Sequence, residues 1–254
     1  MKTSSKNFPR FSLIIPAHNE EAYLPDLLDS VDEARACYIG GTDEIEVLVI
    51  DNASTDSTPN LARTRGCRVI REDKRVIAAV RNTGAQNAKG EVFVFIDADS
   101  IIHSNTFNEI DRSLSTGKVI AGASGVRLQR MSLGIAVTYA LFVSLVWLAQ
   151  MDTGVVFCRR EDFEAIGGYN EDRLFAEDVQ LLWDLMVLGR TRGQKLTRIT
   201  SVKAIASTRK FDEHGDWHYI WLIFRFLYGV LFSKRSMNDF ARMYWYGEQR
   251  INRG

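Results

Sequence analysis

Residues 91–99, EVFVFIDAD, place two carboxylates directly after an apolar strand, and this combination decides the fold class. The apolar run Val92–Ile96 is typical of a strand buried on both faces of a sheet. Asp97 and Asp99 follow at once, and their like charges need a compensating partner. A divalent cation such as Mg²⁺ or Mn²⁺ would provide one, because both ions prefer oxygen ligands. The N-cap of a following helix is the alternative, and spacing alone does not decide between them.

Strand-like and helix-like segments alternate through the first half of the chain. The strand-like runs are FSLIIPA at 11–17, IEVLVID at 45–51 and CRVIRED at 67–73. Helical spacing or helix-capping residues mark 20–36, 54–65 and 76–90, and we expect Gly90 to be the C-cap of the last helix. Such alternation forms βαβ units, so we predict an α/β fold with a mostly parallel, Rossmann-like sheet flanked by helices.

The ends of three predicted strands carry polar residues. These strand ends are Pro16–Glu20, Asp51–Ser54 and Asp97–Asp99. In open α/β sheets, ligands bind beyond the carboxyl ends of the strands, where the strand order reverses. We therefore expect these three strand ends to converge on one cleft.

The second half has a different character. Residues 131–151 form a run of 21 residues without a charge, and 152–189 predict a strand, a helix, a Gly-Gly turn and a second helix. A further apolar stretch, Ile220–Phe232, precedes Lys234 and Arg235. The length of 254 residues suits one large domain.

Composition narrows the classes of partner. Lys+Arg and Asp+Glu are both 32, and a formal net charge of zero argues against a protein that binds duplex nucleic acid. The three cysteines are scattered, which fits reduced thiols better than a disulfide framework. The N-terminal apolar run is short and meets Asn19-Glu20-Glu21, so we expect a mature cytoplasmic protein without a secretory signal.

Four segments, in this order, resemble the motifs of family 2 glycosyltransferases of the GT-A fold. They are LIIPAHNEE at 13–21, VLVIDNASTDST at 47–58, RNTGAQNAKGEVFVFIDAD at 81–99 and GGYNEDRLFAEDVQL at 167–181. The resemblance runs from about Phe11 to Gly189. It implies a single GT-A domain over 1–254, with a nucleotide-sugar half at about 8–100, a divergent acceptor half at about 101–210 and an apolar tail at 211–254.

The resemblance also implies roles for individual residues. The first strand end would lie against the donor nucleoside through Pro16, Ala17, Asn19 and Glu20. Asp51 would bind its base or ribose, and Arg81 would lie beside the nucleotide.

For the reaction centre, the family pattern assigns the two acidic pairs. Asp99 would bind a Mg²⁺ or Mn²⁺ ion, and Asp97 would reach the ribose or sugar and share the metal. Asp178 of the Glu177-Asp178 pair would be the general base of an inverting transfer. The implied activity is a metal-dependent transfer from a nucleotide-sugar, with a UDP-linked donor favoured, to an acceptor hydroxyl.

Each assignment has a structural alternative. Asp51 could cap the helix that follows it, and Glu177-Asp178 could be an acidic first turn favoured by the helix dipole. Arg81 could form an ion pair on a solvated helix face. At 207–219, STRKFDEHGDWHY, Arg209 could bind the diphosphate and His214 could complete the metal shell, or both could lie in an ordinary surface loop.

The motifs above do not assign the acceptor side of the protein. The 131–151 run is long enough to span a bilayer, but a span would separate the two acidic pairs. We favour a helix over the acceptor side that rests on a membrane surface, with a core or homodimer-interface helix as the alternative. A lipid-linked acceptor or a glycan precursor would fit the first case.

Two other functions compete with transfer. One is a non-catalytic nucleotide-sugar-binding or scaffold subunit, against which the intact acidic pairs argue. The other is a sugar nucleotidyltransferase, for which we would expect a glycine-rich basic loop after the first strand. PAHNEEAYLPD at 16–26 contains no glycine, lysine or arginine.

Overall fold

A computed structural model describes residues 8–132, 134, 136, 154–173, 176–209, 212, 215 and 216. The strands are β1 (Phe11–Ala17), β2 (Ile45–Asp51), β3 (Arg68–Arg71), β4 (Val92–Phe95), β5 (Ser100–Ile101), β6 (Val119–Leu128), β7 (Val156–Arg159) and β8 (Lys195–Ala206). The helices are α1 (Leu24–Cys37), α2 (Thr58–Thr64), α3 (Ile77–Asn87), α4 (Thr106–Ser115), α5 (Arg160–Ala165) and α6 (Glu177–Thr191), with a 3-10 turn at Thr42–Glu44.

The eight strands form one mixed sheet in the order β3-β2-β1-β4-β7-β6-β8-β5. The first four positions are parallel, as the alternation of strands and helices predicts. The second half is mixed, because β7 is antiparallel to both β4 and β6 while β6 and β8 are parallel. The chain leaves β1 for β2 on one side and returns to β4 on the other, so the strand order reverses at the carboxyl ends of β1 and β4.

Helices cover both faces of the sheet. Along β1, Phe11, Leu13 and Ile15 belong to the cluster beneath α1 and α4, whereas Ile14 belongs to the cluster beneath α3 and α6. This alternation is the two-residue period of a strand with an apolar layer on each side. The sheet is therefore a rigid support for the residues at its carboxyl edge.

Gly90 does not have the role that the sequence predicts. Helix α3 ends at Asn87 with an extended Ala88, and Arg160 donates hydrogen bonds to the carbonyls of Ala88 and Gly90. A Cβ at Gly90 would lie 2.6 Å from the backbone of Phe11 and Ser12. The C-cap prediction is wrong because glycine is used here for close packing against β1 and not for a left-handed turn.

The two long apolar segments lie almost wholly outside the described residues. Of 131–151, residues 131, 132, 134 and 136 are described, and of Ile220–Phe232 none is. Within the described part of the chain, no helix combines the length and apolar character needed to cross a bilayer.

Candidate active site

The turns after β1 and β2 are joined by hydrogen bonds between them. Asn19 has a left-handed backbone (φ 55°), its N–H donates to Ser54 Oγ at 3.0 Å, and its Oδ1 accepts from the Thr55 N–H at 2.8 Å. The N–H of Glu20 donates to Thr58 Oγ1 at 2.8 Å. These bonds hold the two strand ends together as one polar rim.

Asp51 is the buried acid of this rim. It is 4% exposed, and its Oδ1 accepts the N–H of Ser54 at 3.1 Å. Helix α2 begins only at Thr58, after Ser57 in the N-cap position, so Asp51 closes a turn and does not cap the helix. Next to it, Asn52 Nδ2 donates to the carbonyls of Glu72 and Lys74.

Pro16 and Ala17 are buried at the end of β1. His18, the next residue, is half-buried, and its Nδ1 lies 2.8 Å from the carbonyl oxygen of Asn52. The backbone that follows β1 is therefore fixed against the backbone that follows β2.

Arg81 of α3 gathers three carboxylates from distant parts of the chain. Its side chain is 4% exposed and lies 2.9 Å from Asp97 Oδ1, 2.7 Å from Glu177 Oε1 and 2.9 Å from Asp178 Oδ2. Burial would lower the pKa of Arg81, but Asp178, Asp97 and Glu177 raise it well above its usual value. Arg81 is thus a buried cation beneath the acids, and the alternative of a solvated helix face does not apply.

The carboxyl of Asp178 has a perturbed protonation equilibrium. Burial raises its pKa to about 6, and the negative charges of Glu177 and Asp97 act in the same direction. Arg81 and a hydrogen bond from the Tyr169 hydroxyl oppose this rise. A carboxylate with a pKa near neutrality is a stronger proton acceptor than an ordinary aspartate, which is a property required of a general base.

Glu177 and Asp178 lie in the first turn of α6. Their position therefore also agrees with the alternative that the helix dipole favours an acidic pair there. Ala176, just before them, has a left-handed backbone with φ 56°. A non-glycine residue in this region costs about 1–3 kcal/mol, and such strain is concentrated at functional sites. The first turn of α6 is therefore both a helix N-terminus that favours acidic residues and a part of the acidic cluster around Arg81.

Asp97 and Asp99 do not form a helix cap. Strand β5 follows them directly, and α4 begins only at Thr106. Asp97 is 58% exposed at its side chain and Asp99 is 24% exposed. The N-cap alternative for the Asp-x-Asp pair is therefore excluded.

Arg209, after β8, reaches acids that follow β1 and β4. Its two terminal nitrogens lie 2.9 and 3.1 Å from the carboxylate oxygens of Glu20, and Nη2 is 3.4 Å from Asp99. The guanidinium also lies over the Tyr23 ring at 4.7 Å. Burial raises the pKa of Glu20, and Arg209 opposes the rise. His214 lies outside the described residues.

The acidic pair fits a hard divalent cation that also binds substrate. Among the described residues, no group of three or more His, Cys, Asp and Glu side chains could enclose a metal ion. Mg²⁺ is commonly held by one or two carboxylates, with phosphates and water as its other ligands. Asp97 and Asp99 offer this smaller donor set at an accessible strand end.

Sequence reasoning missed Tyr169 and Asn82 as members of the site. Tyr169 donates to Asp178, and Asn82 follows Arg81 and binds the backbone of Tyr169. Both residues lie in motifs quoted above, RNTG and GGYNED, and this membership was the signal that could have identified them.

Comparison with known proteins shows which family this chain resembles. Residues 12–135 match the family model for glycosyl transferase family 2. Just under half of the chain is thus similar to family 2 glycosyltransferases. Glycosyltransferase AglE of Haloferax volcanii is 29% identical over 118 residues, which are 44% of this chain and 36% of AglE. The chain spans about a third of the length of the curated relatives it matches.

Solved structures establish the GT-A fold. The mannosyltransferase PcManGT from Pyrobaculum calidifontis, in complex with GDP-Man and Mn²⁺, superposes with a TM-score of 0.67 at 23% identity, covering 86% of this chain and 61% of PcManGT. Glucosyl-3-phosphoglycerate synthase from Mycobacterium tuberculosis, in complex with Mn²⁺, UDP and glucosyl-3-phosphoglycerate, superposes with a TM-score of 0.58 at 20% identity, covering 87% of this chain and 80% of the synthase. The predicted resemblance to family 2 glycosyltransferases and the predicted GT-A fold are both confirmed.

Proposed function

We propose that this chain is a metal-dependent inverting glycosyltransferase that moves a sugar from a nucleotide-sugar, with a UDP-linked donor favoured, to an acceptor hydroxyl. One observation carries the proposal: buried Arg81 holds Asp97 at the end of β4 and Asp178 at the start of α6 on a single guanidinium. A group suited to the donor and a group suited to proton transfer are thereby brought to one place.

The donor side is proposed to be the joined turns after β1 and β2. Asp51 would recognise the base or ribose, and Pro16, Ala17, Asn19 and Glu20 would line the nucleoside. Their fixed geometry supports this, because a preorganised rim loses little conformational entropy when a ligand binds. PcManGT and the synthase support a nucleotide-linked donor, since their complexes contain GDP-Man and UDP.

The residues proposed to hold a divalent cation are Asp99 and Asp97. When bound, Mg²⁺ or Mn²⁺ neutralises negative charge on a diphosphate leaving group. Arg209, 3.4 Å from Asp99, is a second positive group at the same edge and would assist with phosphate. The Mn²⁺ in both solved complexes supports a divalent ion.

Asp178 is the proposed general base. Its carboxylate would accept the proton of the acceptor hydroxyl as the new bond to the anomeric carbon forms and the bond to the diphosphate breaks. Attack from the face opposite the leaving group inverts the configuration at that carbon. With a pKa of about 6, Asp178 is ionised at neutral pH and remains basic enough to take the proton.

The test starts with a thermal-shift panel of UDP-, GDP- and dTDP-sugars, with and without Mn²⁺, because a ligand that binds the folded state stabilises it. The donor with the largest shift is then used to measure release of the nucleoside diphosphate. Asp178→Asn should keep the donor shift and lose roughly 10²–10⁴-fold in rate.

Asp184→Asn is the matched control, because Asp184 lies on the same helix and accepts a hydrogen bond from Gln180. It should keep both the donor shift and the rate. An Asp178→Asn variant as fast as the wild type would refute the base assignment. Stabilisation by a donor without any diphosphate release by the wild type would favour the non-catalytic alternative.

A further inference from the structure

Tyr169 is a buried tyrosine whose hydroxyl points at the proposed base. The residue is 3% exposed, and its O–H donates to Asp178 Oδ1 at 2.7 Å. Arg81 binds the other oxygen, Oδ2, at 2.9 Å. The two oxygens of one carboxylate are therefore held by two donors from different elements, which restricts rotation of the carboxylate.

The backbone of Tyr169 is held as firmly as its hydroxyl. Asn82 Nδ2 donates to the carbonyl of Tyr169 at 2.9 Å, and Asn82 Oδ1 accepts the Tyr169 N–H at 2.9 Å. Asn82 is the neighbour of Arg81 on α3. The same turn of α3 thus fixes both groups that bind Asp178.

The Gly-Gly turn allows this arrangement. Gly167 and Gly168 both have left-handed backbones, with φ 80° and 77°. A Cβ at Gly168 would lie 2.8 Å from Asn82 Oδ1 and 3.0 Å from the Phe163 ring, whereas a Cβ at Gly167 would meet nothing within 4 Å. Glycine is therefore required at 168 for two reasons: the backbone is left-handed, and a Cβ would collide with Asn82 and Phe163.

The ring of Tyr169 is also restrained. It packs edge-on against Phe95 with 5.2 Å between centroids, and the Arg81 guanidinium lies 5.4 Å from its centre. Packing alone would be served equally well by phenylalanine. The hydroxyl is what distinguishes tyrosine here, and its partner is the acid.

We propose that Tyr169 is a positioning residue for sugar transfer, which orients the carboxylate of Asp178 through its hydroxyl and is itself set by Asn82 and Gly168. This rests on the proposed role of Asp178 as the base. Within the part of the chain that the structure describes, the groups that act on Asp178 are Tyr169, Arg81, Glu177 and Asp97. Of these, only Tyr169 combines a neutral donor with a backbone fixed at both its N–H and its carbonyl.

The hydrogen bond also favours the ionised form of Asp178. It lowers the pKa of the carboxyl and so opposes the effect of burial. Removing the hydroxyl should therefore raise the pKa of Asp178 and move the acidic limb of the rate profile to higher pH. A residue that only packed the core would not shift this limb.

The first test is Tyr169→Phe, which keeps the ring and removes the hydroxyl. Tyr38→Phe is the matched control, because Tyr38 also donates its hydroxyl to an aspartate, Asp111 Oδ2 at 3.2 Å. Tyr38 is no part of the proposed active site. With the donor selected by thermal shift, Tyr169→Phe should lower kcat roughly tenfold to a hundredfold, as expected for a lost hydrogen bond to a charged group.

Donor affinity of Tyr169→Phe should stay at the wild-type value, and Tyr38→Phe should leave kcat and the pH profile unchanged. The proposal is overturned if Tyr169→Phe and Tyr38→Phe have the same kcat and the same acidic limb. It is also overturned if the rate loss of Tyr169→Phe is matched by a loss of donor binding.

A second pair of variants tests the proposal independently if Tyr169→Phe folds poorly. Gly167→Ala and Gly168→Ala incur similar backbone strain, but only the second pushes against Asn82 and Phe163. Gly168→Ala should therefore lower kcat well below that of Gly167→Ala. Equal kcat values for the two variants would contradict the proposal.

Failure of this inference is distinguishable from failure of the proposed function. If Asp178→Asn is inactive and Tyr169→Phe is fully active, Asp178 remains the base and Tyr169 has no role in placing it. If Asp178→Asn is active, the base assignment itself is wrong.

Discussion

Removing the charge of Arg81 tests the acidic cluster most directly. Arg81→Met keeps much of the aliphatic volume and leaves three carboxylates without their shared cation. Asp97 is 58% exposed, so its interaction is weakened by solvent. The side chains of Glu177 and Asp178 are 15% and 14% exposed, and they carry most of the effect.

The expected loss of unfolding free energy depends on pH. Breaking a buried ion pair by removing one partner costs about 3–5 kcal/mol, which we expect as the loss in unfolding free energy at about pH 7.5. Arg81 lowers the pKa of Asp178, so the variant has a folded-state pKa above the wild-type value of about 6. Below that value Asp178 is neutral in both folded proteins, and its charge no longer contributes to their difference.

The pH dependence follows from this sign. Between the wild-type pKa of about 6 and the higher pKa of the variant, the wild type ionises Asp178 and the variant does not, which corresponds to about 1.4 kcal/mol per pH unit. The stability deficit of Arg81→Met should therefore shrink by up to about 2 kcal/mol when the pH falls from about 7.5 to about 5.5. Most point substitutions would give the same deficit at both values.

Urea unfolding followed by circular dichroism, at both pH values and with a chelator present, measures the deficit. Arg71→Met is the control, because the Arg71–Asp73 pair is 64% and 75% exposed and is expected to contribute at most about 1 kcal/mol. A deficit for Arg81→Met that equals the control, or that grows as the pH falls, would refute this account of the cluster.

Three further outcomes are expected. Because Asp178 must be ionised to accept a proton and has a pKa of about 6, kcat/KM for diphosphate release should fall as the pH drops through about 6; a profile flat to about pH 5 would contradict this. Asp99→Asn should abolish the Mn²⁺-dependent part of the donor thermal shift and keep the metal-independent part, and an unchanged response to Mn²⁺ would remove Asp99 from the metal site. Gly90→Ala should cost about 1–3 kcal/mol in urea unfolding because its Cβ would lie 2.6 Å from the β1 backbone. Gly125→Ala, whose nearest neighbour is 3.4 Å away, should cost far less, and equal losses would show that the close approach at Gly90 is not limiting.

Local patterns in the sequence determined the parallel half of the fold. Strands β1 and β2 have the predicted bounds, since apolar runs bounded by turn residues are short-range signals. The convergence of the strand ends also follows from sequence order, because crossover connections through helices make successive strands parallel and so place their carboxyl ends at one edge. The antiparallel position of β7 between β4 and β6 is not encoded in such local patterns.

The partners of the charged residues were decided by the tertiary structure alone. A single arginine in a helix is compatible with a solvated face, and its burial depends on acids 16 and 96 residues away in the chain. The Arg209–Glu20 pair spans 189 residues. The sequence identified which side chains could carry the chemistry, because residue type and motif are local. Which of them share a cation depends on contacts between distant segments, and only the folded chain brings those segments together.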